Sequence, residues 1–570
     1  MKRSGYFRRV WRGCCLPVFW ACLTCGGGSP LYAQTRPIAE RLSPETLFYL
    51  EWRGTKSLGG AEGKNHLLQL LRDPALAPLW LSFTRQIEPS PPPGASPVTA
   101  FLLPDLISLM DNSVVFGIVP NPDARRPPSP GKSVPLIATF LVYDLTGKAD
   151  LVQKWRALST MSSKTPMEVT KYDFGGTWVE VRATRTSASY MAQTGGYFLA
   201  SDQKQVMEDL ITRFCGTGAG SLSVAELPEY GQIRKYVGRD AAVDFFGRMP
   251  DLTSWNLSEG TKSIHLEKIH AMGAGLSFDD QLTRIQGAIL GDASPEGPFD
   301  LAGASSATFQ TWPVVETAPT FSISRINLAA LYRLFMGAVI GNLPGQATHF
   351  AASEKAAESF LGMPLIDALQ LFTGEIASMT TPSDDGTLEQ MFALSIQKPD
   401  AVLRVARALT ATMIVSEDSS GPTTYLNLAY PYEDPQTHVR RKRSYYLAVT
   451  PRMLLAAPQK TMLQQVIERL GSGAADPPPA GAFRSPDFAH LRSRLPERLS
   501  GFGAADLTQI PWDKVFANLQ SRSAASANQP NQQPSDGSWP KGEIISRYLH
   551  FALSGWWKDS NGVYFDSYIQ

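Results

Sequence analysis

The sequence predicts an α+β protein: two tandem, internally duplicated units of mainly antiparallel sheet covered by helices. Three observations carry this. The chain has 570 residues, 43% apolar and only 18% charged, which is too long for one ordinary domain and too apolar to stay unfolded. Its halves repeat a series of short segments in the same order. Each half also ends in two apolar runs joined by a tight polar turn, the signature of an antiparallel hairpin. Units at about 40–300 and 313–570 follow, joined through the Gly/Ala/Ser/Thr-rich stretch 303–310.

The first 33 residues read as a signal peptide. Lys2, Arg3, Arg8, Arg9 and Arg12 precede an apolar stretch at 14–24 that is too short to cross a bilayer. Gly26-Gly27-Gly28-Ser29-Pro30 breaks it, and Leu31-Tyr32-Ala33 ends in the small residue a signal peptidase requires. Export to the periplasm or beyond is expected. Arg8-Arg9 is a loose twin-arginine pair with Phe7 where Ser or Thr is usual, so both export routes stay open. Neither Cys22 nor Cys25 sits in a lipoprotein box. Cleavage removes five positive charges and no acid, taking the net charge from +1 to −4. Such a balance offers no field for nucleic acid. Only Cys215 remains of five cysteines, so no intrachain disulfide is expected and the core must hold the fold. Cys215 itself is expected to be a small buried residue at a helix end.

The repeat sets the elements in order. Phe140-Leu141-Val142-Tyr143 reads as a strand leading to a helix with Leu151, Val152, Trp155 and Leu158. Its counterpart is Phe392-Ala393-Leu394-Ser395 and a helix with Val402, Val405, Ala406 and Leu409. Next come Tyr197-Phe198-Leu199-Ala200, the turn Ser201–Lys204, and a helix bearing Val206, Met207, Leu210, Ile211 and Phe214. They are answered by Met453-Leu454-Leu455-Ala456, Ala457–Lys460, and a helix bearing Met462, Leu463, Val466, Ile467 and Leu470. Both apolar sets fall on one helical face, and both helices stop at glycines. Leu227-Pro228-Glu229-Tyr230 then answers Ser485-Pro486-Asp487-Phe488. The closing hairpins run from His270 through Asp279-Asp280 to Leu290, and from His550 through Asp559-Ser560-Asn561-Gly562 to Ile569. Asn-Gly is a tight-turn pair that tolerates positive φ. Pro-rich stretches at 89–97, 120–130 and 477–479, and the polar run 521–538, are loops.

The search for chemistry returns little. Gly59–Lys64 lacks the first glycine and the Ser/Thr of a phosphate loop, and 216–220 follows a helix rather than a strand. The histidines are His66, His265, His270, His349, His438, His490 and His550. His265 and His270 share no helix or strand face, and His270 and His550 occupy equivalent hairpin positions, where a structural contact is expected. The acidic turns at 383–386 and 559–562 lack the closing Glu of a calcium loop. No catalytic, cofactor-binding or metal residues are assigned, and no cofactor is expected. One charge feature stands out: Arg440, Arg441, Lys442 and Arg443 follow His438-Val439 and have no match in the first half. They fit either a solvated strand edge or the contact surface of an anionic partner, such as a lipid headgroup or an envelope polysaccharide.

Ser43-Pro44-Glu45-Thr46-Leu47-Phe48-Tyr49-Leu50 and Arg72-Asp73-Pro74-Ala75-Leu76-Ala77-Pro78-Leu79-Trp80 resemble the opening of a loose group of exported bacterial proteins of unknown function. Those begin with a Pro-Ala-Asp-Thr-type strand and an Asp-Pro-Ala-Leu segment; here Glu45 replaces the Asp. The resemblance implies export and a sheet-plus-helix fold, and it supplies no catalytic residues.

The expected function is therefore non-catalytic: binding or scaffolding in the cell envelope, with peripheral membrane contact open and no transmembrane segment after signal cleavage. Two alternatives stand beside it. One is a carrier of an apolar ligand or lipid between its sheets, lined by aromatics such as Trp155, Trp556 and Trp557. The other is a hydrolase whose active site assembles from distant residues.

Overall fold

The computed structural model describes residues 37–76, 111–122, 136–148, 168–184, 187–216, 222–238, 241–249, 265–292, 298–303, 318–342, 347–383, 388–433, 440–471, 481–517 and 540–570. The expected signal peptide, the joint at 304–310, the helix with Trp155, the Pro-rich loops at 89–97 and 477–479, most of that at 120–130, and the turn at 384–386 lie outside them.

Runs rich in β-branched and aromatic residues make the strands. They are β1 (Phe48–Trp52), β2 (Val114–Pro120), β3 (Ile137–Asp144), β4 (Glu168–Phe174), β5 (Thr177–Ala183), β6 (Ala188–Thr194), β7 (Tyr197–Ser201), β8 (Val243–Arg248), β9 (Ile269–Phe278) and β10 (Thr283–Gly291). Among them run helices α1 (His66–Arg72), α2 (Lys204–Phe214) and α3 (Pro228–Val237). The strands from β1 to β8, β9 from His270, and β10 to Ala288 belong to one compact unit. Its order is β4-β5-β6-β7-β3-β2-β1-β8-β9-β10, with every recorded register antiparallel. β6 turns into β7 through Gly195 and Gly196 at φ +55° and +82°, the two left-handed positions of a tight hairpin that only glycine takes without strain. The apolar face of α2 buries Val206, Met207, Leu210, Ile211 and Phe214. Each such side chain contributes about 1.5–3 kcal/mol before ordering entropy is subtracted.

The second compact unit takes in the described residues of 251–269, 289–534 and 541–570. It holds β11 (Thr320–Arg325), α4 (Leu328–Asn342), α5 (Ala347–Leu361), α6 (Leu365–Leu369), β12 (Phe372–Pro382), β13 (Leu388–Ile396), α7 (Pro399–Thr410), β14 (Ile414–Ser420), β15 (Thr423–Glu433), β16 (Arg440–Val449) and β17 (Met453–Ala457). It closes with α8 (Lys460–Gly471), α9 (Pro486–Arg492), β18 (Gly501–Asp506), α10 (Glu543–Tyr548), β19 (Phe551–Lys558) and β20 (Gly562–Ile569). The order here is β14-β15-β16-β17-β13-β12-β11-β18-β19-β20, again antiparallel. Ala401, Val402 and Val405 of α7 pack on Ile396 and Val449, and Ala406 packs on Leu426 and Leu428. The chain is thus an α+β protein of large antiparallel sheet and covering helices.

Four details depart from expectation. Cys215 is exposed, because α2 ends at it and its Sγ meets the Thr194 and Thr177 hydroxyls at 2.8 and 3.6 Å beyond the apolar face. Leu409 is 58% exposed at the last turn of α7, past the residues it packs on. Phe140 does not correspond to Phe392. β3 sets Leu141 opposite Ala200, whereas β13 sets Phe392 opposite Ala456, a slip of one residue. That slip changes the face, so Phe140 is 3% exposed and Phe392 40%. Finally, neither Asn561 nor Gly562 takes positive φ; their amides instead donate to the Asp559 carboxylate at 2.7 and 3.1 Å.

Candidate functional site

The four basic residues found in the sequence begin β16. Its partner β15 pairs Tyr430 with Arg443, Pro431 with Lys442, Tyr432 with Arg441 and Glu433 with Arg440. On one side β14 stops pairing at Leu428, and on the other β17 reaches only Tyr446. Among the described residues, the segments 430–433 and 440–443 therefore form a two-stranded ribbon with no strand partner on either outer edge. Pro431 is tolerated there because no third strand asks for its missing N–H. Lys442 and Arg443 are exposed. Arg443 reaches Glu389 of β13 at 3.8 Å, while Lys442 makes no ion pair among the described residues. Tyr445 packs edge-on against Tyr430 with ring centroids 6.4 Å apart. Burial and then Tyr430 push its phenol pKa up, and Arg443 pulls it down. Lys442 and Arg443 give the ribbon exposed cations that can hold anionic groups by charge-assisted hydrogen bonds.

A second cluster is buried in the first unit. Glu51 of β1 stands opposite Asp244 of β8 in register, acid against acid. Arg53 lies 3.4 Å from Glu51 and 3.5 Å from Asp244. Arg234 of α3 pairs with Asp244 and stacks 4.8 Å from the Tyr230 ring centroid. Tyr49 donates to Asp244 at 2.9 Å. Two cations and two anions thus neutralise each other. Burial is the largest influence on Glu51 and holds its carboxyl pKa above the ordinary range, against the pull of Arg53. The stability tied to that shift is full below the usual carboxyl pKa and is lost as pH rises through the raised one. Glu51→Gln is expected to remove this part of the pH dependence of first-unit hydrogen exchange. An unaltered profile would refute it.

The second unit has a cleft of about 350 Å³ at the start of α4, lined by Gly303, Asn327, Leu328, Gln370, Thr373 and the Arg325–Glu375 pair among others. Sequence reasoning missed a further surface on the nearby helices. Leu331 and Phe335, one turn apart on α4, are 42% and 57% exposed, and Phe360 of α5 is 56% exposed. The signal was the apolar run 328–340, whose single charge is Arg333. The stretch from Gly59, read in the sequence as a turn and not a phosphate loop, is 3₁₀ helix as far as Gly63, with Lys64 after it paired to Asp280 at 2.9 Å. Trp557 stacks on Tyr564 with centroids 6.0 Å apart. Among the described residues, no three His, Cys, Asp or Glu side chains form a metal-holding group, and no helix is long and apolar enough to cross a membrane.

No family model matches the chain, and no curated protein matches it. Solved structures similar to it include crystal form III of TP0453, with 11% identity over 46% of this chain and 82% of that one, at a TM-score of 0.24. Crystal form IV of TP0453 covers 45% and 81%, with 11% identity and a TM-score of 0.23.

Proposed function

We propose that this is an exported, non-catalytic binding protein of the cell envelope, built from two copies of one α+β module, whose second copy carries a surface for an anionic partner. The two strand orders are the same when each number in the first is raised by ten. In both modules the short seventh strand leads directly into an amphipathic helix.

A difference between the modules carries the functional reading. Aligned on their shared register, Ala183↔Ala188 of β5–β6 corresponds to Ala429↔Ser444 of β15–β16. The first hairpin ends there, with Thr184 N–H donating to the Ser187 carbonyl at 2.8 Å. The second continues for the four pairs from Tyr430↔Arg443 to Glu433↔Arg440, and one arm of that extension is the whole basic run. Among the described residues no neighbouring strand covers this addition, which favours a surface role for its cations.

The test is the salt at which the chain leaves a dextran sulfate column, compared with the variant Arg440→Gln/Arg441→Gln/Lys442→Gln/Arg443→Gln. The parent is expected to bind at least about tenfold more tightly at low salt, since each cation near an anionic surface contributes about 1 kcal/mol. Elution of both at the same salt would sink the proposal.

A further inference from the structure

We propose that the anionic partner is a phospholipid bilayer, entered by the apolar faces of α4 and α5 beside the cationic ribbon; this rests on the reading of the ribbon given above. A soluble polyanion needs cations alone. A bilayer surface rewards cations and apolar side chains together, the first at the headgroups and the second at the acyl boundary.

The second unit exposes both kinds in one neighbourhood. Leu331 and Phe335 share a face of α4, a 15-residue helix with one charged side chain. That charge is cationic: Arg333 is 59% exposed, with a long 3.4 Å contact to Asp300. Phe360 stands near the end of α5, whose next residue, Leu361, packs into the core cluster around Val402. Leu403 of α7 packs into that cluster and also into the one that holds Tyr445, two residues from Arg443. α5 and the strand that carries the basic run are thus tied through one side chain of α7. The outer side of α7 adds exposed Arg404 and the 58% exposed Leu409. These apolar side chains lie on three helices, two of which also carry the exposed cations Arg333 and Arg404. That distribution suits a fluid lipid boundary better than a preformed groove for a peptide.

Vesicle co-sedimentation tests this with the chain from Gln34, which keeps every described residue and removes the apolar stretch 14–24. Vesicles of phosphatidylcholine with phosphatidylglycerol are compared with phosphatidylcholine alone. The parent is expected to bind the anionic vesicles. Leu331→Ser/Phe335→Ser/Phe360→Ser is expected to weaken that binding about tenfold or more, while its retention on dextran sulfate stays unchanged. These residues are exposed, so the variant keeps its fold, checked by an unaltered circular dichroism spectrum. Equal vesicle binding by this variant and the parent would overturn the bilayer proposal and leave the anionic reading standing. Equal vesicle and dextran sulfate binding by the quadruple glutamine variant would overturn the anionic reading itself.

Discussion

Asp244→Ala is expected to cost the first unit about 3–5 kcal/mol and to leave the second unit unchanged. Asp244 is fully buried and accepts from Tyr49 while facing Arg53 and Arg234. Removing it leaves one acid, Glu51, for the buried Arg234 and the half-buried Arg53. A buried charge without its partner is the costly case, whereas removing a matched pair is often nearly neutral. Asp244→Leu with Arg234→Met should therefore recover much of the loss, because Glu51 and Arg53 remain balanced. Because two units need not unfold together, the measurement must be local. Amide exchange of β1 and β8 is expected to quicken about a hundredfold or more in Asp244→Ala, with β11 and β18 as the internal reference. A change below tenfold, or equal changes in both units, would refute the account.

In the second unit an arginine meets an aromatic ring instead of a carboxylate. Arg234 lies ten residues before Asp244, and Arg492 lies ten before Phe502. Both arginines reach the carbonyl four residues on, Gly238 at 3.4 Å and Pro496 at 3.2 Å. Over Phe502 the Arg492 guanidinium has a ring 5.4 Å from its carbon instead of a carboxylate, and burial lowers its pKa. An arginine on a helix of each unit thus meets an ion network in one case and a cation–π contact in the other.

The elements that pack by regular period were the legible ones. The stripe of α2 and the closing hairpins were readable because burial follows the 3.6- and 2-residue repeats. The basic run was also visible, but its meaning was not: whether it lined an inner strand or a projecting ribbon depended on where β14 and β17 stop, which is long-range pairing. The Glu51–Asp244 cluster was invisible for a similar reason, since its members lie on β1, β8 and α3, and only the cross-strand register sets acid opposite acid. Cys215 and Leu409 were misread at helix ends, where periodicity continues but the neighbour to pack against does not. The faces of α4 and α5 were passed over because an apolar helical run reads as core unless its partner is known to be missing.

In the second unit the largest single-site loss is expected from Gly374→Ala, about 2–5 kcal/mol. Gly374 has φ +85°, and a Cβ added there would lie 2.3 Å from the Ile326 carbonyl oxygen. It sits where the register of β12 against β13 shifts between Phe372 and Ile376, a bulge that relies on a left-handed residue. The approach is close because Ile326 N–H donates to the Gly374 carbonyl at 2.9 Å. Left-handed backbone costs an alanine about 1–2 kcal/mol, and forced overlap in packed structure about 1–3 more. Gly421→Ala separates the two contributions, since Gly421 has φ +56° with nothing within 4 Å of an added Cβ. It should show only the smaller backbone cost. Amide exchange of β11 and β12 should quicken in Gly374→Ala far more than that of β14 and β15 does in Gly421→Ala. Equal losses would mean that the backbone angle alone sets the cost and that the loop after β11 moves aside freely. That outcome would also make the cleft beside Arg325 and Glu375 a yielding opening, whereas a large difference makes its wall rigid.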